Sequence, residues 1–288
     1  RHHRLRRRSF TNLDIKSGKE IKRLQLSKPE EFGEVFFLAR SPDGMTVYSS
    51  SFRCVEAWDM ALEKPRWRQE YPSRRLADLA ITHSGDELAL RDSMRDEMIL
   101  LRSKNGELQR MWKDSQSGAN SISFAPGDKE LIISYDSQVV VWNAVKGTIE
   151  HQIGFPERKS NLARPAPDGK SMVIALDDEK AFQVWDVAKQ VVVDQLRGHK
   201  AQPSEARYLD DNDLFTSDTA GVIILWDMAK RKPVRAYQCN NLEVIDLAFS
   251  PKKKRLAAAC EGGDTVIIDL KNRELTSSIC QLRRIRPR

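Results

Sequence analysis

Short runs that alternate polar and apolar residues, separated by turn residues, make up most of this chain. Residues 121–124 read Ser-Ile-Ser-Phe and are followed by the turn 125–128, Ala-Pro-Gly-Asp. Further apolar runs follow at 131–135, 139–142 and 148–153. Such runs predict half-buried strands, and β-branched and aromatic residues suit a buried pleated sheet. Four strands in this stretch leave no room for a helix.

A six-residue unit, Trp-Asp-x-x-x-[Gly, Gln or Arg] or a degenerate version of it, recurs seven times. Successive copies start 41 to 45 residues apart, which indicates one supersecondary unit copied along the chain. Tight turns such as Ser-Pro-Asp-Gly at 41–44 recur at the same place in the unit. The copies start at Leu13, Trp58, Leu101, Trp142, Trp185, Trp226 and Ile268.

These units resemble the WD-repeat family of β-propellers over essentially the whole chain. The Trp-Asp pairs, the Ser-Pro-Asp-Gly turn and the Gly198-His199 pair carry the resemblance. It implies an all-β fold, a β-propeller of four-stranded antiparallel blades with six full repeats and a partial seventh at the N-terminal end. The structural markers of the repeats are Trp58, Asp59, Trp142, Asp136, Trp185, Asp186, Trp226, Asp227 and His199.

The repeats predict one propeller domain over residues 1–288, with basic ends at 1–8 and 283–288. The partial repeat, 8–33, supplies only the last two strands of a blade. Because the chain lacks two strands of a seventh blade and begins with Arg, we expect a segment of a longer, multidomain protein. The full repeats cover about 34–74, 75–118, 119–159, 160–200, 201–241 and 242–282.

Many WD repeats stiffen a blade with a hydrogen-bonded network of His, Ser or Thr, Asp and Trp. The family places the Asp six residues before the Trp. Only Asp136 matches here, in a repeat without a Gly-His pair, whereas the repeat of His199 has Ala220 at that position. We therefore expect no complete network, and stability that rests on apolar packing between blades. The Trp residues expected between blades are Trp58, Trp142, Trp185 and Trp226.

The formal net charge of +7 comes from the two ends of the chain. Nine Arg residues lie within 1–8 and 283–288, and removing their charges leaves −2. Arg clusters can bind nucleic acid or an acidic membrane. A solvated linker is the simpler interpretation, so nucleic acid is not the expected partner. No apolar stretch is long enough to span a membrane.

Four cysteines, Cys54, Cys239, Cys260 and Cys280, lie in or beside predicted strands without a Cys-x-x-Cys spacing. A buried free cysteine behaves as a small apolar residue. We therefore expect reduced structural thiols, which favours a cytoplasmic location.

The sequence contains no motif that identifies a catalytic centre. The five His form no metal-ligand spacing, and no nucleophile elbow, P-loop or dinucleotide fingerprint occurs. We assign no catalytic, metal or cofactor-binding residue. The resemblance implies a non-catalytic scaffold for protein–protein interactions. The alternatives are a lactonase-like or quinoprotein-like propeller enzyme, although the innermost strands show no repeated His, Asp or Glu, and a nucleic-acid binder through the Arg-rich ends.

In this family, the loops that join one blade to the next share a face with the loops between strands two and three. On the first three full repeats these loops are rich in aromatic residues and Arg, which dominate interface energies. An acidic or phosphorylated protein or peptide would suit this face. Alternatively, Trp112 and Phe155 pack against their own sheets and the Arg residues are only solvated. The predicted partner-binding residues are Phe52, Arg53, Tyr71, Arg74, Arg75, Met94, Arg95, Trp112, Lys113, Phe155, Arg158 and Lys159.

Overall fold

A computed structural model describes residues 9–13, 20–25, 35–62, 64–114, 119–155, 158–239, 242–250, 254–261, 264–271 and 274–280, with the backbone alone for 9–13, 20–25 and 274–280. Within these residues the strands form six four-stranded antiparallel sheets and one two-stranded sheet, and no α-helix occurs. The predicted fold class, an all-β propeller with six full repeats and a partial seventh at the N-terminal end, is confirmed.

We number the four-stranded sheets blades 1 to 6 in chain order; consecutive strands are neighbours in each. The two-stranded sheet contains β1 (Ser9–Leu13) and β2 (Glu20–Gln25). Blades 1 to 3 contain β3 (Val35–Arg40), β4 (Thr46–Ser51), β5 (Cys54–Asp59), β6 (Lys64–Glu70), β7 (Leu76–Ile81), β8 (Glu87–Asp92), β9 (Glu97–Arg102), β10 (Leu108–Lys113), β11 (Ala119–Phe124), β12 (Glu130–Tyr135), β13 (Gln138–Asn143) and β14 (Thr148–Gly154). Blades 4 to 6 contain β15 (Ser160–Pro165), β16 (Ser171–Leu176), β17 (Ala181–Asp186), β18 (Val191–Arg197), β19 (Pro203–Tyr208), β20 (Asp213–Asp218), β21 (Val222–Asp227), β22 (Lys232–Gln238), β23 (Val244–Ser250), β24 (Arg255–Cys260), β25 (Asp264–Asp269) and β26 (Glu274–Cys280).

The chain divides into two compact units. Blades 1 and 2 lie in the first unit and blades 4 to 6 in the second, while the boundary passes through blade 3, whose residues 136–139 and 151–154 belong to the second unit. Within the first unit, β7 packs against β3 and β11. Within the second unit, β19 packs against β15 and β23. Each unit is therefore built by the first strand of one blade packing on that of the next.

The middle strands of a blade are buried and the outer strand is exposed. In β20 every residue after Asp213 is buried, whereas in β22 only Tyr237 is. Burial on both faces explains the continuous apolar runs of the middle strands. The outer strand β18 begins with three exposed valines at 191–193, while the outer strands β6 and β22 have Pro65 and Pro233 at their second position.

Apolar clusters join neighbouring blades within each unit. In the first unit Leu131 and Ile133 of blade 3 pack with Met98 and Leu100 of blade 2. Of the Trp residues predicted to pack between blades, Trp58, Trp142 and Trp226 are buried. Trp142 and Trp226 lie in clusters that join two blades, whereas Trp58 packs with Val35 and Met60 of its own blade. Trp185 is half-buried.

The recurring six-residue unit forms a turn in which the side chain of its Asp accepts a backbone amide of the same turn. The carboxylate of Asp186 accepts a hydrogen bond from the Lys189 amide at 2.9 Å, and that of Asp227 accepts one from the Lys230 amide at 2.9 Å. At the last position of the unit the backbone is left-handed, with φ of 71° at Gly147. Glycine adopts this conformation at little cost, which explains its place in the pattern.

Blade 5 contains a complete polar network, so the expectation that no blade has one was wrong. The Trp226 indole donates to Thr216 Oγ1 at 2.7 Å, and Thr216 Oγ1 lies 2.7 Å from His199 Nε2. His199 Nδ1 donates to Asp218 Oδ2 at 3.0 Å. The acid is Asp218 at the end of β20 rather than the residue at Ala220, and its Oδ1 accepts the Val222 amide at 2.9 Å.

We use the term latch for a contact between the last residue of a blade's second strand and the loop that enters the blade. The latch of blade 5 is the His199–Asp218 pair. In blade 2, Arg74 of the entering loop donates to Asp92 at 2.9 Å. In blade 3, Tyr135 donates to Asp114 of the entering loop at 2.8 Å.

Asp136, the acid that the sequence pattern indicated for blade 3, has no place in this latch. It is exposed in the turn between β12 and β13.

The latch of blade 6 is a disulfide between Cys239, which follows β22, and Cys260, which ends β24. The expectation of reduced thiols was therefore wrong for this pair. No short spacing motif marks it, because the two residues are 21 positions apart and meet only through the folding of blade 6. Cys54 is a buried free thiol, and the Cys280 side chain lies outside the described residues.

Candidate functional site

Three loops of blades 1 and 2 are hydrogen-bonded to one another through their backbones. The Tyr71 amide donates to the Arg53 carbonyl at 2.6 Å, and the Leu76 amide donates to the Phe52 carbonyl at 2.9 Å. The Ser93 amide donates to the Arg75 carbonyl at 2.8 Å. These bonds bring together the β4–β5, β6–β7 and β8–β9 loops, which carry seven of the predicted partner-binding residues.

A cation and two aromatic rings stack at the centre of these loops. The Arg75 guanidinium lies 4.8 Å from the centre of the Phe52 ring, and the Phe52 and Phe36 rings are 4.1 Å apart. Phe36 was missed at the sequence level. Two consecutive Phe residues in β3 were the available signal, because neighbouring strand residues point to opposite faces and only one can enter the core.

Three arginines in these loops are exposed. Arg53, Arg75 and Arg95 form no salt bridge within the described part of the chain. The side chain of Met94 is 66% exposed beside Arg95. The Arg–Phe surface, as we name it, consists of Phe36, Phe52, Arg53, Arg75, Met94 and Arg95.

Arg74 is excluded from this surface although it precedes Arg75 directly. Its side chain is only 13% exposed and donates to Asp92 at 2.9 Å and to Glu97 at 2.5 Å. The hydrogen bond from Arg74 lowers the pKa of Glu97. Tyr71 is half-buried, with its ring centre 5.9 Å from the Arg74 guanidinium. Arg74 is therefore engaged inside the protein and cannot be expected to bind a partner.

Two predicted aromatic residues pack against the blade that follows them rather than facing solvent. The Trp112 ring of β10 lies 6.1 Å from the Trp142 ring of β13. Phe155 is buried, with its ring edge-to-face at 5.7 Å on Trp185 of β17. Both side chains contribute to blade packing.

The remaining predicted residues are cations on loops and strand ends. Arg158 is paired with Asp178 and Glu179 at 2.8 and 2.5 Å. Lys113 is exposed and forms a 3.4 Å salt bridge with Glu97. Lys159 is exposed, and its amide donates to Asp177 at 3.0 Å.

A cavity of about 350 Å³ lies in the second unit, between the β16–β17 turn and the end of β18. The carboxylates at its edge are already engaged, since Arg158 pairs with Asp178 and Glu179. Its lining also includes Lys180 and Arg197, so the charges nearly balance. The residues that line this cavity therefore indicate no particular class of ligand.

Carboxylates recur on the first strands at one position, a pattern that sequence reasoning missed. Asp78, Glu205 and Asp246 are each the third residue of their strand, beside a register shift. Each accepts the amide of the following residue, at 2.7, 2.9 and 2.8 Å. Burial and the Glu205 carboxylate raise the pKa of Asp246. These carboxylates satisfy backbone donors at the bulges.

The described side chains include no group of three or more His, Cys, Asp or Glu arranged to hold a metal ion. Across the same residues, no helix has the length and apolar character that crossing a membrane requires.

Curated proteins with WD repeats match part of the chain. WD repeat-containing protein 55 of mouse is 30% identical over 107 residues, which is 37% of this chain and 27% of the mouse protein. The rat and human proteins of the same name are each 31% identical over 107 residues, 37% of this chain and 28% of theirs. The match thus spans about a quarter of the length of these relatives. No family model matches the chain.

The chain is therefore a β-propeller protein by its blades, and its sequence is similar to that of WD-repeat proteins. Together these findings confirm the WD-repeat resemblance.

Proposed function

We propose that this chain is a non-catalytic scaffold that binds a protein partner through the Arg–Phe surface of its first unit. The observation that carries the proposal is the exposed Arg75 guanidinium stacked on Phe52, with Arg53 beside it. Arg and aromatic side chains contribute most of the energy in protein interfaces. A cation held over a ring keeps its orientation at a small entropic cost, which favours binding.

The partner is an acidic or phosphorylated segment. Arg53, Arg75 and Arg95 have no carboxylate to neutralise them within the described residues, so their charges are available. Charge-assisted bonds from Arg to carboxylate or phosphate are stronger than neutral ones. Phe36, whose ring contacts that of Phe52, and the exposed Met94 add apolar area to this surface.

We favour the scaffold role over the alternatives, a propeller enzyme and a nucleic-acid binder. The carboxylates of Asp78, Glu205 and Asp246 accept backbone amides of their own strands, which supports a structural use rather than a catalytic one. Nucleic-acid binding was attributed to the Arg-rich ends, which lie outside the described residues.

The cytoplasmic location stays a prediction. It was based on reduced cysteines, and the Cys239–Cys260 disulfide removes that basis for those two residues.

Fluorescence anisotropy with two labelled peptides tests the proposal, one rich in Asp and Glu and the other its phosphoserine version. The triple variant Arg53→Glu, Arg75→Glu, Arg95→Glu should lose binding while its melting temperature stays nearly unchanged, because these side chains are exposed. The matched control is Lys104→Glu, Lys129→Glu, Lys146→Glu, which makes the same charge change at exposed residues of the first unit.

Equal loss in both triple variants would show that net charge alone attracts the peptides. Unchanged binding in the Arg triple variant, or no binding by the natural chain, would overturn the proposal.

A further inference from the structure

Blade 6 differs from blades 2, 3 and 5 in the chemistry that holds its entering loop. Those blades use an ion pair, a phenol–carboxylate bond and an imidazole–carboxylate bond. Blade 6 uses a covalent bond at the corresponding place. We propose that the Cys239–Cys260 disulfide is a redox-dependent latch, and that its state sets how firmly blade 6 is held to blade 5.

The disulfide joins two blades rather than two strands of one blade. Cys239 belongs to the end of blade 5, where its amide donates to the Gly221 carbonyl at 2.7 Å. Cys260 ends β24 of blade 6, opposite Val244 of β23. Breaking this bond therefore removes the covalent link between β24 of blade 6 and the end of blade 5.

Among the described residues, blade 6 has no counterpart of the polar side chains that extend the latch of blade 5. In blade 5 the latch continues through Thr216 and Trp226, but the corresponding residues of blade 6 are Ala258 and Ile268, which have no hydrogen-bonding side chain. Two thiols in this apolar cluster would make only weak hydrogen bonds. The reduced latch would thus depend on apolar packing and on backbone hydrogen bonds.

A dithiol reductant can break the bond by ordinary exchange chemistry. One thiolate of the reductant attacks a sulfur of the disulfide, the S–S bond breaks, and the other cysteine leaves as a thiolate. The second thiol of the reductant then closes a cyclic disulfide and releases the first cysteine, and both thiolates take protons from water. Cys239 and Cys260 are almost completely buried, so the attack requires local opening of blade 6.

Alkylation and mass spectrometry of the unreduced chain should first show Cys239 and Cys260 joined. Amide hydrogen exchange with and without dithiothreitol then measures how strongly the disulfide stabilises blade 6. Reduction should make exchange of β23 to β25 faster by on the order of 100-fold, which is the order expected when a disulfide closing a loop of about 20 residues is lost. Exchange of β15 to β17 in blade 4 should stay unchanged.

The Cys239→Ser, Cys260→Ser variant should exchange like the reduced chain whether or not dithiothreitol is present. His199→Ala is the matched control, since it breaks the latch of blade 5 and should loosen that blade equally in both redox states. Cys239 and Cys260 found alkylated as free thiols in the unreduced chain, or exchange in blade 6 that dithiothreitol does not alter, would overturn the proposal. These measurements on the natural chain decide the matter even if the double variant does not fold.

Discussion

Blades 3 and 5 both have a polar latch, but the entering loop and the strand contribute opposite chemical groups in the two blades. In blade 3 the entering loop supplies the carboxylate, Asp114, and the strand supplies the hydroxyl of Tyr135. In blade 5 the strand supplies the carboxylate, Asp218, and the loop supplies the imidazole of His199. This place in the two blades therefore accepts different pairs of polar residues.

The two latches also differ in charge. Asp114 additionally accepts a bond from Arg91 at 3.1 Å, and both side chains are buried, so blade 3 holds an ion pair. In blade 5, burial lowers the pKa of His199 although Asp218 opposes this, so the imidazole is neutral over a wider pH range. Blade 3 should thus be sensitive to loss of charge, and blade 5 to loss of packing and to acid.

Trp226→Ala should have the largest effect, because it removes a buried ring and the donor to Thr216 together. We expect the free energy of unfolding to fall by about 3–5 kcal/mol in urea denaturation. Trp185→Ala is the control and should cost less, since Trp185 is only half-buried. A loss below about 1 kcal/mol for Trp226→Ala would contradict the packing described for blade 5.

Asp114→Asn should destabilise by about 3 kcal/mol, because the buried Arg91 loses its buried counter-charge. The control is Asp96→Asn, which removes a second carboxylate that lies 3.2 Å from Arg91 but whose side chain is 46% exposed. That change should cost at most about 1 kcal/mol. Equal losses in the two variants would show that burial of the pair does not matter.

Tyr135→Phe should cost about 1–3 kcal/mol, since one oxygen of the buried Asp114 loses its phenol donor. Tyr208→Phe provides the comparison, because the Tyr208 hydroxyl is buried without a hydrogen-bond partner among the described residues. Its removal should leave the unfolding midpoint unchanged or slightly raised. A larger loss at Tyr208 than at Tyr135 would refute the assigned latch of blade 3.

Acid should have the smallest effect, and it should act through His199. Because its folded pKa lies below the unfolded value of about 6.5, the unfolded chain takes up the proton first as pH falls. The stability that neutral His199 contributes is present above about pH 6.5 and is lost as the pH falls through the pKa of His199 in the folded chain. His199→Gln should be less stable at neutral pH and should show a shallower fall in urea midpoint between about pH 7 and 5. If the urea midpoint of His199→Gln fell with pH as steeply as that of the natural chain, a group other than His199 would be responsible for the acid sensitivity.

The repeat architecture could be predicted from the sequence because it depends on local chemistry. Alternating residues, Pro and Gly turns and the Trp-Asp unit each act within a few residues, and the left-handed φ of Gly147 explains its place in the pattern. The polar network of blade 5 could not be found by counting back from Trp226. It depends on strand register, which pairs Leu214 with Trp226 and places Thr216 and Asp218 beside the entering loop.

The candidate site was predicted less completely, for a physical reason that Arg74 and Arg75 illustrate. Consecutive residues in a loop point in different directions, and composition cannot tell which one meets a carboxylate. Arg74 meets Asp92 and Glu97, whereas Arg75 lies over Phe52. The sequence therefore indicated the residue types of the surface, but not which of its cations were already neutralised.

The exposed valines of β18 have a consequence for the behaviour of concentrated solutions. A free strand edge with apolar side chains is a template for another chain, and proline guards such edges in β6 and β22 but not in β18. Self-association of the chain through the edge of β18 should therefore increase with protein concentration. Light scattering of Val192→Lys should show less self-association than the natural chain, whereas Val234→Lys on β22 should not differ from it.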